Sequence, residues 1–239
     1  MATGEIDFSS TAVGQAPAGM TSVWQAAPGD FTVNAAGNLI WTGGIGWDGF
    51  TYDAAPDSPS YEVLTKLRIF GGLGDQHNHG VVLLATANAG YYVTVRGSRN
   101  QLDLYRFTGS GEVLVASVAA PNDVGAEVWV RARVGAAGVL QARSWLDGSP
   151  EPTSWMIDTV DTTYTTGKFG VFGRDNRSNS VEWSYFSFGT GADAAPAPGA
   201  VATSPENIIG GVSNGQAVIS WDAVANADGY SVEFRRKAP

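Results

Sequence analysis

Cysteine is absent from this chain of 239 residues, and histidine occurs only twice. Without thiols the chain forms neither a disulfide framework nor a thiolate-ligated metal site. Secreted modules of this size often carry a disulfide, so the absence favours folding in a reducing cytoplasm. No apolar run approaches the roughly 20 residues that span a bilayer, so no membrane insertion is predicted.

Basic residues are also scarce. The chain has 14 lysines and arginines against 23 aspartates and glutamates, which gives a formal net charge of −9. Such a balance repels phosphate backbones and predicts no nucleic-acid partner. No segment shows a sustained apolar period of 3.6 residues, so very little helix is expected.

What the chain does contain is a dense series of strand patterns. Segments rich in Val, Tyr, Thr and Phe alternate apolar and polar residues, and Gly, Asn or Ser breaks separate them about every ten residues. The predicted strands include 61–70, 80–86, 90–96, 101–107 and 111–117. This pattern predicts an all-β sandwich or barrel.

The clearest unit is a hairpin made of 127–134, a turn at 135–138, and 139–147. Side chains alternate across a strand, so apolar residues of one parity define the core face. On that face we expect Val128, Val130, Ala132, Val134, Leu140, Ala142 and Leu146. On the opposite face we expect Trp129, Arg131, Arg133, Gln141, Arg143 and Trp145.

The second half of this hairpin resembles the late hairpin of concanavalin A-like (laminin G-like) jelly-roll domains, with a strand ending at Trp145, an Asp-Gly turn and a Glu-Pro-x-x-Trp segment ending at Trp155. The closing strand pair of that family is similar to 167–173 and 181–188, and its opening is similar to 17–39. The resemblance implies an antiparallel jelly-roll β-sandwich over 1–190. It implies little about function, because one fold hosts lectins, glucanases, adhesion modules and spacers.

The C-terminal part divides into a Pro/Ala linker, 191–199, and a segment, 200–239, that resembles part of a fibronectin type III domain. There 216–224 and 228–234 resemble the second and third strands, with Trp221 as the core tryptophan. Such a domain needs about 90–100 residues. Either the chain was cut, or another subunit covers the strand edges of this small β segment.

No catalytic site is predicted. The fold's glucanases place Glu-x-Asp-x-(x)-Glu on one strand, and Glu5 and Asp7 begin such a motif. Serines stand where the last glutamate belongs, so an entry strand with two solvated acids is the favoured interpretation.

No metal site or cofactor is predicted either. Asp75, His77 and His79 offer Zn²⁺ or Ni²⁺ ligands, but the chain has no further His or Cys to complete a site. The aspartates of a Gly-rich loop, Asp48, Asp53 and Asp57, leave Ca²⁺ open as an alternative to ordinary turns.

Two aromatic groups are candidates for carbohydrate binding, because sugars stack on exposed aromatic rings beside hydrogen-bonding side chains. One is the outward hairpin face with Trp129, Arg131, Arg143 and Trp145; the other is the loop pair Trp47 and Tyr52. Alternatively, the hairpin face packs against a neighbouring loop or subunit. The residues leave both interpretations open.

These patterns predict a non-enzymatic bacteriophage virion protein, a surface decoration or tail adhesin, that presents a lectin-like domain to a bacterial surface glycan. Residues 1–7 lack the basic and apolar regions of a secretory signal, so assembly into a virion in the host cytoplasm is expected. The expected partners are other virion proteins and further copies of the chain. One alternative is a carbohydrate-binding module of a larger secreted or surface bacterial protein, located outside the cell; a divergent glycoside hydrolase is the third.

Overall fold

The computed structural model describes residues 3–43, 46–55, 60–70, 78–96, 99–121, 125–174 and 181–198, and the backbone of 209–213 and 216–220. The chain forms two compact units, Met1–Pro196 and Ala197–Pro239. Within the described ranges the regular structure is seventeen strands and two short 3₁₀ turns, Phe8–Ser10 and Ala136–Gly138. No helix in these ranges is long and apolar enough to cross a membrane.

Fifteen strands build the first unit. They are β1 Thr3–Glu5, β2 Met20–Trp24, β3 Phe31–Val33, β4 Leu39–Trp41, β5 Asp48–Tyr52, β6 Tyr61–Ile69, β7 Asn78–Ala85, β8 Gly90–Arg96, β9 Gln101–Phe107, β10 Glu112–Ala119, β11 Glu127–Val134, β12 Val139–Leu146, β13 Ile157–Val160, β14 Lys168–Arg174 and β15 Val181–Thr190.

These strands form two antiparallel sheets. The eight-stranded sheet has the order β13-β12-β11-β6-β15-β4-β3, with β1 beside β15. The seven-stranded sheet has the order β10-β9-β8-β7-β14-β5-β2. Buried side chains of both sheets join in one core cluster, so the sheets pack face to face as a sandwich. The predicted all-β jelly-roll sandwich is confirmed.

The β11–β12 hairpin follows the predicted parity. Val128 pairs with Leu146 and Val134 with Leu140, and these side chains face the core. Trp129 pairs with Trp145 on the other face. The turn between the strands contains Ala137 at φ 58°.

Both sheets are covered on their outer faces as well. Every residue of β7 is buried. An aromatic cluster on the outer face of the seven-stranded sheet includes Tyr92, Phe107 and Phe172. Another cluster lies on the outer face of the eight-stranded sheet and consists of Leu64, Trp129, Trp145, Tyr185 and Ala195. Apolar clusters therefore lie on the outer faces of both sheets as well as in the core between them.

Residues 191–196, which the sequence assigned to the linker, lie on the outer face of the eight-stranded sheet. We call them the strap. Ala195 is only 2% exposed. The strap passes over Gly189, where a Cβ atom would lie 2.5 Å from the carbonyl oxygen of Asp193. The sandwich thus extends beyond the predicted boundary at 190, as far as Pro196.

The second unit contains an antiparallel pair of strands, β16 Ile209–Ser213 and β17 Gln216–Ser220. β17 falls inside the predicted strand 216–224, whereas β16 was not predicted. Trp221 and 228–234 lie outside the described residues, so the fibronectin-like character of this segment stays a prediction.

Candidate functional site

An open cleft of about 760 Å³ lies on the outer face of the seven-stranded sheet. It forms where β2, β5 and β14 meet the end of β7. Its volume falls within the range of about 300–1,000 Å³ that is usual for small-molecule sites. The lining residues are Thr21, Ser22, Val23, Trp24, Thr51, Asp53, Ala85, Thr86, Ala87, Thr166, Gly167 and Lys168.

Trp24 forms an aromatic wall of this cleft. Its backbone lies in the left-handed region, at φ 65°, which costs a bulky residue about 1–3 kcal/mol. Several contacts hold it there: its amide donates to the carbonyl oxygen of Ala87 at 3.3 Å, and its indole Nε1 donates to that of Thr86 at 3.1 Å. Its ring lies 4.7 Å from the ring of Phe107. The half-buried indole is therefore fixed in place before any ligand arrives.

The other lining side chains are mostly polar. The hydroxyl of Thr51 donates to the carbonyl oxygen of Thr21 at 3.3 Å, and that of Thr86 donates to Ala89 at 3.1 Å. A hydroxyl that donates in this way still offers acceptor lone pairs. The ammonium group of Lys168 donates to the backbone carbonyl oxygen of Asp53, whose side chain is exposed. The cleft combines one aromatic surface with hydroxyls, one cation and one carboxylate.

A partly buried carboxylate joins three side chains on the same outer face. One Glu112 oxygen, Oε2, accepts hydrogen bonds from Trp47 Nε1 and Arg174 Nη1, both at 2.6 Å, and from the hydroxyl of Tyr92. Burial raises the pKa of Glu112, but these hydrogen bonds and the charge of Arg174 outweigh it, so the pKa lies below the ordinary value. Glu112 is thus an ionised anchor for three side chains.

The structure separates the predicted pair Trp47 and Tyr52. Trp47 lies on the outer face, with the guanidinium of Arg174 4.5 Å from its ring and Phe107 at 5.6 Å. Phe107 therefore contacts both Trp24 and Trp47. Tyr52 packs with the core rings of Phe169 and Phe188 instead.

Trp129 and Trp145 face outward as predicted, and both are buried. They are 9% and 7% exposed, and their rings stack at 6.1 Å. Ala195 of the strap belongs to the same cluster. Of the two interpretations of this face, the one in which a neighbouring segment covers it matches the structure.

The two predicted arginines are held within the same face. Arg131 is buried between Glu62 and Glu151, with its Nε 2.6 Å from Glu151 Oε1. Arg143 pairs with Glu151 at 2.5 Å, and its guanidinium lies 4.4 Å from the ring of Trp155. Both arginines therefore form ion pairs with Glu151 of the same chain, and Arg131 also pairs with Glu62.

Of the residues that the sequence offers for metal binding, the structure describes Asp48, Asp53 and His79. Asp48 is buried and accepts a hydrogen bond from Trp41 Nε1 at 2.9 Å. Burial raises the pKa of Asp48 to about 6, although the bond from Trp41 lowers it. His79 is buried near Trp41 and Trp183. Asp57, Asp75 and His77 lie outside the described residues, and within them no group of three carboxylates or histidines could hold a metal ion.

Glu5 and Asp7, the two acids near the N-terminus, have structural roles. Glu5 ends the entry strand β1, which pairs with β15. Asp7 caps the 3₁₀ turn Phe8–Ser10, because its carboxylate accepts from the amide of Ser9 at 2.9 Å.

Sequence reasoning missed the cleft. Trp24 lies in the opening segment 17–39, and no sequence pattern singles out Thr51 or Lys168. These residues come together because β5 pairs with both β2 and β14. The one local signal was a tryptophan among small polar residues at the end of a short strand.

No protein-family model matches the chain, and no curated protein sequence matches it. Solved structures do. The carbohydrate-binding module CBM66 from Bacillus subtilis aligns with a TM-score of 0.53 and 15% identity, over 75% of this chain and 96% of that one. The likeness is one of fold.

Two further structures share this fold. The carbohydrate recognition domain of Emp47p aligns with a TM-score of 0.50 and 14% identity, over 74% of this chain and 91% of that one. The GH43 protein BlXynB from Bacillus licheniformis aligns with a TM-score of 0.57 and 13% identity, over 77% of this chain but only 39% of that one. The first unit therefore has a jelly-roll, lectin-like fold.

Proposed function

We propose that the first unit is a non-catalytic carbohydrate-binding module and that the Trp24 cleft holds the sugar. The observation that carries the proposal is the prearranged aromatic wall. Trp24 keeps a strained backbone and a fully bonded indole N–H at the side of a cleft of about 760 Å³. Strained aromatic residues of this kind are a feature of ligand sites.

The chemistry of the lining suits a carbohydrate. A sugar ring has an apolar face that stacks on an indole and hydroxyls at its edge that both donate and accept hydrogen bonds. The cleft offers threonine hydroxyls, backbone carbonyl oxygens, the carboxylate of Asp53 and the ammonium group of Lys168. CBM66 and the Emp47p domain, whose names describe carbohydrate binding and recognition, lend support through their shared fold.

The cleft lining favours binding over hydrolysis. Glycosidases commonly use a pair of carboxyl groups that flank the scissile bond. Among the residues described around the cleft, Asp53 is the one carboxylate. A single exposed carboxylate can orient a sugar hydroxyl, but it does not supply both an acid and a base.

Isothermal titration calorimetry, guided by affinity electrophoresis on a polysaccharide panel, tests the proposal. We expect Asp53→Ala and Lys168→Ala each to weaken binding at least about tenfold, the loss of a charged hydrogen bond. Asp158→Ala, an exposed change on β13, is the matched control and should bind like the wild type. If no polysaccharide is retained, or if the cleft variants bind as well as the control, the cleft is not the site.

A finer proposal concerns the biological setting. We propose that the protein works as part of a bacteriophage particle, with further copies and other virion proteins as partners. A chain without cysteine is suited to folding in the reducing cytoplasm in which such particles assemble. Immunogold electron microscopy on a lysed source culture, with antibody to 1–190, should label capsids or tails. Label confined to cell envelopes or to the soluble fraction would favour the module of a larger bacterial protein instead.

A further inference from the structure

The strap lies on four buried side chains of the outer face of the eight-stranded sheet. These are Glu62, Arg131, Tyr185 and Ser187, and we call them the seat. Arg131 Nη1 donates to the carbonyl oxygen of Ala195 at 2.9 Å, and the amide of Ala195 donates to Glu62 at 3.1 Å. The hydroxyls of Tyr185 and Ser187 both donate to the carbonyl oxygen of Pro196, at 2.8 and 2.7 Å. The side chains of the seat thus form hydrogen bonds with the backbone of the strap.

Few apolar contacts hold the strap. Ala195 is its one buried residue, whereas Gly191, Ala192 and Ala194 are exposed. No strap residue belongs to the main core between the sheets. Segments with few buried apolar groups open locally, at a lower free energy than the whole domain.

The face beneath the strap has its own support. Arg131 keeps its ion pairs with Glu62 and Glu151 when the strap is absent. Trp129 keeps the hydrogen bond from its Nε1 to Asp147 at 2.8 Å and its stacking on Trp145. When the strap leaves, water replaces it as the hydrogen-bond partner of Ser60, of the hydroxyls of Tyr185 and Ser187, of one N–H of Arg131 and of one oxygen of Glu62.

We propose that the strap is a gate over a second carbohydrate-binding face, formed by Trp129, Arg131 and Trp145. The gate opens while the sandwich stays folded. Opening removes Ala195 from the stacked indoles and frees a donor of Arg131. Stacked tryptophans beside a guanidinium are a surface on which a sugar can stack and form hydrogen bonds.

Because the chain has no cysteine, a single introduced thiol reports opening in the full chain. We would compare Ala195→Cys with Ala194→Cys, which is exposed, and with Ala142→Cys, which is buried in the main core. An aromatic disulfide reagent measures the rate at which each thiol reacts. The thiol at 195 should react more slowly than the one at 194 but much faster than the one at 142.

A change in the seat gives a sharper comparison. Ser187→Ala removes one hydrogen bond to Pro196 and should speed the reaction at 195 by about fivefold, the usual net value of one neutral bond. The reaction at 142 should change far less. If the thiols at 195 and 142 react at equal rates, or if Ser187→Ala accelerates both equally, the strap opens only when the domain unfolds and there is no gate.

Binding by the uncovered face is tested on the same protein. A bulky maleimide attached to the thiol at 195 cannot fit the seat and holds the strap open. Affinity electrophoresis should then show retention by a polysaccharide that the unlabelled Ala195→Cys chain does not show, and labelling at 194 should add none. The gain should persist when Lys168→Ala is combined with the label, which separates this face from the Trp24 cleft. An open strap without added retention would overturn the proposal.

Discussion

Glu62 and Arg131 form a buried ion pair on the outer face of the eight-stranded sheet. The second Glu62 oxygen lies 2.6 Å from Arg133 Nη2, and the first also accepts the amide of Ala195. One carboxylate therefore joins two strands and the strap. This face is organised by charge, whereas the cleft on the other sheet is organised around an aromatic ring.

Replacing Glu62 by Gln should lower the free energy of unfolding by about 3 kcal/mol, because Arg131 would keep only one carboxylate partner in a buried site. Urea unfolding followed by tryptophan fluorescence measures this. Glu151→Gln is the control; its side chain is 29% exposed, and about 1 kcal/mol is expected. Equal losses in the two variants would show that burial of the pair does not matter.

Asp48 should make stability fall as the pH rises. Its pKa is raised by burial from 3.8 to about 6, so the folded state holds the proton more tightly than the unfolded state. Its contribution is present below about pH 4 and is lost as the pH rises through about 6, by up to about 3 kcal/mol. Asp48→Asn removes this loss and can still accept from Trp41.

The measurement is the difference in Tm between Asp48→Asn and the wild type, taken from pH 4 to pH 7. We expect the difference to shift in favour of the variant over this range. Asp53→Asn, a change at an exposed position, is the control. A difference for Asp48→Asn that does not change with pH, or that changes no more than the control does, would mean that burial does not raise the pKa of Asp48.

Glu112 should behave in the opposite way. Burial raises its pKa, but hydrogen bonds from Trp47, Tyr92 and Arg174 bring it below the ordinary value of 4.5. The stability that it contributes is present above pH 4.5 and is lost as the pH falls through the folded-state pKa. Glu112→Gln should therefore cost about 1–2 kcal/mol at pH 7 and less at pH 3. Thermal unfolding at both pH values tests this, and a cost that grows on acidification contradicts it.

The end of the sandwich can be tested by truncation. A chain that ends at Pro198 keeps the strap, and a chain that ends at Thr190 lacks it. The longer chain should be more stable by about 2–4 kcal/mol, because hydrogen bonds join the strap to Ser60, Glu62, Arg131, Tyr185 and Ser187. Equal urea midpoints would place the functional boundary at 190 after all.

The alternation of residues predicts the β11–β12 hairpin and its two faces, because a strand exposes successive side chains to opposite sides. It does not show whether an outward tryptophan meets water. Trp129 and Trp145 have the same pattern in an open binding face and in a covered one. In the structure the cover includes Leu64, Tyr185 and the strap residue Ala195, and these residues are distant from both tryptophans in the sequence.

The cleft was beyond sequence reasoning for a related reason. The cleft brings together Thr21, Thr51, Thr86 and Lys168. They meet only because β2, β5, β14 and β7 are neighbours in the sheet. Strand order arises from long-range pairing, and no local pattern encodes it. By contrast, the buried position of the core valines follows from their immediate neighbours.

The exposed tip Thr86-Ala87-Asn88, which joins β7 to β8, borders the cleft while every residue of β7 beneath it is buried. Surface residues at this tip can therefore be exchanged, and the lining of the cleft altered, without disturbing the packed strand. In the laboratory, the same tip on a cysteine-free fold offers a place to vary surface residues in libraries expressed inside bacterial cells.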